Sequence, residues 1–223
     1  MSDKIAWGGR VVAVQPRIRL LRSFDERSHV YLGYALRMDG EIGSDVRQFL
    51  VGIGKIAHQK WRFQAGMRAS GECANVADLR LESVEFYKVS RLRTEQAIEL
   101  RGASNLRTER EVEHPGSPPP PWLGIPPDLG VYRARGHRRL DARTYERSCT
   151  ACIWGCRMAV EIIVDHWNPD ERRYRFETFC YGPLSCGLHR SGHTRKVPGR
   201  HGMTYEEEDW VDADATSHRG PDE

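Results

Sequence analysis

Five of the six cysteines in this 223-residue chain fall between positions 149 and 186: Cys149, Cys152 and Cys156, then, after a gap, Cys180 and Cys186. A C-x2-C pair such as Cys149 and Cys152 can set two thiolates on one ion, because the tight turn between them points sulfurs and backbone N–H groups inward. Four thiolates make a closed structural site, and the simplest set here is Cys149, Cys152, Cys180 and Cys186. Zn²⁺ suits such sulfur-only ligation. Iron suits it as well, since Cys149, Cys152 and Cys156 together with Cys180 or Cys186 supply the four thiolates of a 4Fe–4S cluster. His166, His189 and His193 are nearby nitrogen donors that can replace one sulfur, although a strand or loop position explains each of them too. Cys73 stands alone and reads as a small buried apolar residue.

Two distant clusters meet only if the intervening chain reverses. Residues 158–167 (MAVEIIVDHW) and 174–179 (YRFETF) read as strands, and residues 168–171 (NPDE) have turn composition. A hairpin of that shape brings its open ends together and delivers Cys149 and Cys152 beside Cys180 and Cys186. Over residues 143–190 the arrangement resembles a zinc ribbon, which implies a closed structural Zn²⁺ site. It departs from that pattern in its C-x5-C second knuckle and in the extra Cys156.

Before this module the chain reads as β. Runs 10–21, 30–38, 47–63 and 81–89 are rich in β-branched and aromatic residues, with turn signals between them. In the third run Phe49, Val51, Ile53, Ala57, Trp61 and Phe63 share one parity, and Gln48, His58, Lys60, Arg62 and Gln64 share the other. Period two then predicts the first set inside and the second outside. With a short strand over 70–76, residues 7–93 are similar to an OB-fold barrel. That resemblance implies a binding face on strands two and three, where Tyr31, Arg37, His58, Lys60 and Arg62 would lie. Gly52-Ile-Gly-Lys-Ile-Ala57 matches a loose dinucleotide fingerprint, but 58–63 alternates as a strand, so the helix that would present its N-terminus to pyrophosphate is not expected. The glycines are expected to mark a bend.

The expected fold is therefore mainly β: an OB-like barrel (1–93), a helical and proline-rich linker (94–130), a metal-stabilised hairpin module (131–204) and an acidic tail (205–223). The linker holds a frayed helix over 94–113 and then 7 of the 12 prolines within 114–130. No stretch approaches the roughly 18 apolar residues of a membrane span, and the first residues, MSDKIAWGGR, lack the apolar core of a secretory signal. A reducing, cytoplasmic setting with thiols rather than disulfides is the expectation.

The barrel and hairpin segments are each net basic, whereas the tail carries eight acidic side chains against one arginine. Residues 189–203 are basic and turn-rich, and Arg190, Arg195, Lys196 and Arg200 among glycines are suited to following a phosphate backbone. Signatures of phosphate-loop, serine-hydrolase, zincin and thioredoxin chemistry are missing, which points away from an enzyme. The expected function is metal-containing binding of RNA or single-stranded DNA. Two other readings are an iron–sulfur redox protein or enzyme component, and a structural subunit that docks other proteins.

Overall fold

The computed structural model describes residues 4–95, 120–207 and 210–220. The helix expected over 94–113 lies outside them, apart from Thr94 and Glu95, which end a strand. Among the described residues no helix is long and apolar enough to cross a membrane.

The first half is a closed ring of strands: β1 (Ile5–Arg22), β2 (Arg27–Ile42), β3 (Asp45–Ile53), β4 (Arg68–Asn75) and β5 (Phe86–Glu95). Around the ring the order is β1-β2-β3-β5-β4 and back to β1, with β3 and β5 parallel and the other neighbours antiparallel. β1 can serve both sides of the closure because it is long and carries register shifts after Val11 and Arg17, which bend it. Close approach inside the ring requires bare backbone at Gly33, whose φ is +133° and where an added Cβ would lie 2.0 Å from the Ile53 carbonyl oxygen.

The run over 47–63 is not one strand. It breaks at Gly54 into the helix α1 (Lys55–Trp61), closed by Arg62 in the left-handed region at φ 50°. Ala57 and Trp61 are spaced i, i+4, so they share a helix face as well as strand parity, and the pattern fits both periods. The inner assignments Phe49, Val51, Ile53 and Phe63 are buried, but His58 of the outer set is 2% exposed. A helix thus does follow the glycine pair. It has seven residues, and it joins β3 to the antiparallel β4–β5 pair instead of completing a parallel βαβ unit, so it does not build a dinucleotide site.

The second half adds α2 (Leu129–Arg135), β6 (Arg138–Arg139), a helical turn α3 (Ala142–Thr144) running into a π-turn (Tyr145–Cys149), β7 (Gly155–Asp165) and β8 (Asn168–Cys180). β7 pairs in parallel with the end of β1, Arg19–Arg22 against Ala159–Ile162, so the hairpin extends the barrel's own sheet in the order β1-β7-β8-β6. One core consequently runs through both halves, from Val11, Leu36 and Val51 to Tyr132, Met158 and Phe179. The hairpin reverses at His166–Trp167, two residues earlier than composition predicts, because the Asp165 carboxylate accepts the Trp167 N–H at 2.9 Å and closes a local turn.

β9 (Lys196–Pro198) and β10 (Thr204–Glu206) form a small separate ribbon, and α4 (Trp210–Thr216) follows. The acidic tail is docked. Glu207 accepts from Arg22 at 2.9 and 3.0 Å and from Arg27 at 2.7 Å, and Asp212 pairs with Arg139. Beneath it lies an ion cluster in the interior: Arg22 is paired with Glu177, and Glu177 also with Arg175 and Arg195.

His29 and His137 pack ring to ring at 4.8 Å beside this cluster. Burial, then the charges of Arg27 and Arg22, holds the His29 imidazole down at about 4, and burial holds His137 well below its usual range. A depressed imidazole is neutral in the fold and charged in the unfolded chain below about 6.5. Its contribution to stability is complete above pH 6.5 and declines as pH falls towards 4. Denaturant midpoints measured between pH 7 and 4.5 are expected to fall, and His29→Gln should flatten that dependence. A midpoint independent of pH over this interval would contradict the assignment.

Candidate metal centre and the adjoining cleft

The reversed chain puts both cysteine segments at one end of the hairpin. Gly155 at the start of β7 pairs directly with Cys180 at the end of β8. Cys149, Cys152 and Cys180 sit in one buried cluster with Leu140 and Tyr145, against the Trp122 and Trp154 side chains. Cys186 is half-buried, in a turn in which its N–H donates to the Pro183 carbonyl. Burial pushes the Cys149 thiol up to about 12, with smaller contributions from Cys152, Cys180 and Cys186.

The local backbone is that of a sulfur-binding turn. Cys152 N–H donates to the Cys149 carbonyl at 3.1 Å and Gly155 N–H to the Cys152 carbonyl at 3.0 Å. The Cys152 sulfur faces the N–H groups of Trp154 and Gly155, and the Gly182 N–H donates to the Cys180 sulfur at 3.4 Å. Such amides stabilise thiolates. Gly155 is required here, since an added Cβ would lie 2.5 Å from the Cys149 carbonyl oxygen. Three arginines hold the second segment by its carbonyls: Arg135 and Arg219 at Tyr181, and Arg138 at Pro183 and Leu184. Arg138 also lowers the cost of a Cys180 thiolate.

Sulfur-only donors are the chemistry that Zn²⁺ and iron–sulfur clusters share. Burial raises the proton affinity of the Cys149, Cys152 and Cys180 thiols. Among the described residues no group of three or more His, Cys, Asp or Glu side chains is already set to hold an ion. Ion binding would therefore draw the sulfurs inward. Cys156 is not with them: it is fully buried in the barrel core, and its thiol donates to the Pro16 carbonyl at 3.3 Å. Cys156 thus lies outside the cluster that holds Cys149, Cys152 and Cys180. His189 is engaged with the Arg139 carbonyl, His166 with Asp25, and His193 is exposed. Cys73 is buried and its thiol pushed up to about 11 by desolvation.

Beside the cysteine cluster lies a cleft of about 760 Å³. Its floor is the outer face of β1, β2 and β3, with Gln15, Ala35, Arg37 and Leu50. Its walls come from Tyr145, from Arg157 on β7, from β8 and from residues 192–196. Five basic side chains, Arg37, Arg157, Arg175, Arg195 and Lys196, face three acidic ones, Asp141, Glu146 and Glu177. Arg37 Nε and Arg175 Nη2 are buried atoms without a hydrogen-bond partner among the described residues. Phe176 is 39% exposed there, with the Arg157 guanidinium 4.1 Å from its ring centroid.

No family model, no curated protein and no solved structure aligns with the chain.

The other basic and aromatic candidates are scattered. His58 is packed on the Tyr34 ring at 3.9 Å and bonded to the Pro126 carbonyl, so it anchors the linker's end and is not on an outer face. Tyr31 is half-buried under the Arg133 guanidinium. Lys60 and Arg62 are exposed on and just after α1. Arg190 and Arg200 are exposed, and Lys196 pairs with Glu206. The Arg195 side chain is 11% exposed and paired with Glu177 at 3.0 Å, so its charge is committed inside the fold. Sequence reasoning missed Gln15, Arg157, Arg175 and Phe176. The alternation of 172–178 marks its strand but not which neighbour each face meets.

Proposed function

We propose that this protein binds single-stranded nucleic acid, RNA or DNA, in the cleft between an OB-type barrel and a zinc-ribbon-like module whose Zn²⁺ is held by Cys149, Cys152, Cys180 and Cys186. The ring order, with one helix between its third and fourth strands, supports the barrel reading. So does a cleft on the β1–β3 face, the face that such barrels use for oligonucleotides.

The observation that carries the proposal is the basic lining of that cleft, where Arg37, Arg157, Arg175, Arg195 and Lys196 outnumber Asp141, Glu146 and Glu177. Phosphate oxygens accept charge-assisted hydrogen bonds from arginine, and a positive cleft attracts them. Arg37, Arg157 and Lys196 neutralise the backbone, and a base stacks on the exposed part of Phe176 beside Arg157. Zn²⁺ contributes a closed structural centre that fixes the wall carrying Tyr145. It has no catalytic part.

The test is fluorescence anisotropy with labelled oligo-dT and oligo-U at several salt concentrations. Affinity is expected to fall steeply with salt, by a log–log slope of about −0.7 per phosphate contacted. Arg37→Glu and Arg157→Glu should each weaken binding at least about tenfold and flatten the slope by about one contact. Undetectable binding at low salt, or Arg37→Glu behaving as the parent does, would sink the proposal.

A further inference from the structure

Gln15 joins the two sites. On β1 it is 8% exposed and lines the cleft, yet its Nε2 donates to both the Cys149 and the Cys152 carbonyl at 2.9 Å. Its Oε1 accepts from the Tyr145 hydroxyl at 2.7 Å. Tyr145 lines the cleft as well, packs in the cysteine cluster, and begins the π-turn that ends at Cys149. The loop of contacts closes: Cys149, the π-turn, Tyr145, Gln15 and back to the Cys149 carbonyl. Every polar atom of the Gln15 amide group has a protein partner in it except for the second acceptor position of its oxygen.

We infer that occupancy of the cysteine site and occupancy of the cleft are thermodynamically coupled through Gln15 and Tyr145, so that Zn²⁺ tightens binding of a single strand and the strand tightens binding of Zn²⁺. This rests on the proposed function. Drawing four sulfurs around an ion moves the Cys149 and Cys152 carbonyls, and Gln15, fixed on the barrel, transmits that shift to Tyr145 and the cleft floor. A π-turn is the kind of local irregularity that takes up such a shift, because one extra residue sits in its turn. Linkage requires the two effects to be equal: whatever factor Zn²⁺ contributes to strand affinity, the strand returns to Zn²⁺ affinity.

The experiment measures Zn²⁺ affinity of the full chain by competition with a chromophoric chelator, with and without saturating oligo-dT. The parent protein is expected to bind Zn²⁺ at least about fivefold more tightly with the oligonucleotide, the lower end of ordinary coupling. Tyr145→Phe keeps the ring in the cluster and removes only the hydroxyl donor. Whatever its own affinity for the strand, its factor should fall to within about twofold of unity. Gln15→Leu should do the same where it folds, and Tyr145→Phe decides the matter where it does not. Equal Zn²⁺ affinity with and without an oligonucleotide that the protein binds overturns this inference alone. Failure of the zinc-loaded protein to bind oligonucleotide overturns the function reading and the coupling with it.

Discussion

Glu177→Gln is expected to destabilise the fold by about 3–5 kcal/mol, the cost of removing one partner from a buried ion pair. The Glu177 side chain is 3% exposed and its carboxylate meets three guanidinium groups, of Arg175 at 2.6 Å, Arg195 at 3.0 Å and Arg22 at 3.6 Å. The Arg22 side chain is 1% exposed and cannot recover its lost partner from water. Glu207 is its other partner and already pairs with Arg27, so the amide leaves Arg22 and Arg27 on one carboxylate and takes from Arg175 and Arg195 the carboxylate they pair with. The cluster ties β1, β8, the segment before β9 and the tail to one another, and its loss should loosen all four. The readout is the denaturant midpoint at constant m-value. A loss below about 1 kcal/mol would show that the cluster is solvated. Arg22→Met combined with Glu177→Leu should cost less than the two single changes added, because the double change leaves no orphaned charge between these two positions.

On the proposed zinc reading, Cys180→Ser should abolish zinc binding and lower the melting temperature by at least about 10 °C, at about 2–4 °C per kcal/mol for a chain of this size. Structural Zn²⁺ contributes about 10–16 kcal/mol of apparent binding free energy in small domains. Here the loss is smaller, because β7 and β8 also share the barrel's core and would hold part of the module without the ion. The second segment hangs on carbonyl contacts from Arg135, Arg138 and Arg219, which position it without closing it. The control is Cys156→Ala. That thiol is equally buried but lies in the barrel core, so its loss should cost packing and leave zinc content at one per chain. Zinc retained in Cys180→Ser, or lost in Cys156→Ala, would redraw the ligand set.

The hairpin was legible because its two strand runs carry local signals and a reversed chain must bring its ends together, whereas turn composition put the reversal at 168–171, inside β8. The inner parity of Phe49, Val51 and Ile53 was legible for the same reason. At Ala57 and Trp61 the signal fails, since a spacing of four satisfies helix and strand alike, and Gly54 decides by opening a helix. The parallel pairing of β1 with β7 joins residues about 140 positions apart, and no local pattern encodes it. The fate of Arg195 depends on it. In the sequence it belongs to a basic loop, but packing of that loop on β8 sets it against Glu177. Gln15 carries no spacing signal at all; its role exists only because the cysteine turn is seated on β1.

Zinc-edge X-ray absorption on protein purified without oxygen tests the gathering of the sulfurs most directly. The account predicts one zinc per chain with four sulfur neighbours at about 2.3 Å. A first shell dominated by nitrogen or oxygen, iron in place of zinc with brown colour, or disulfides among Cys149, Cys152, Cys180 and Cys186 would contradict it.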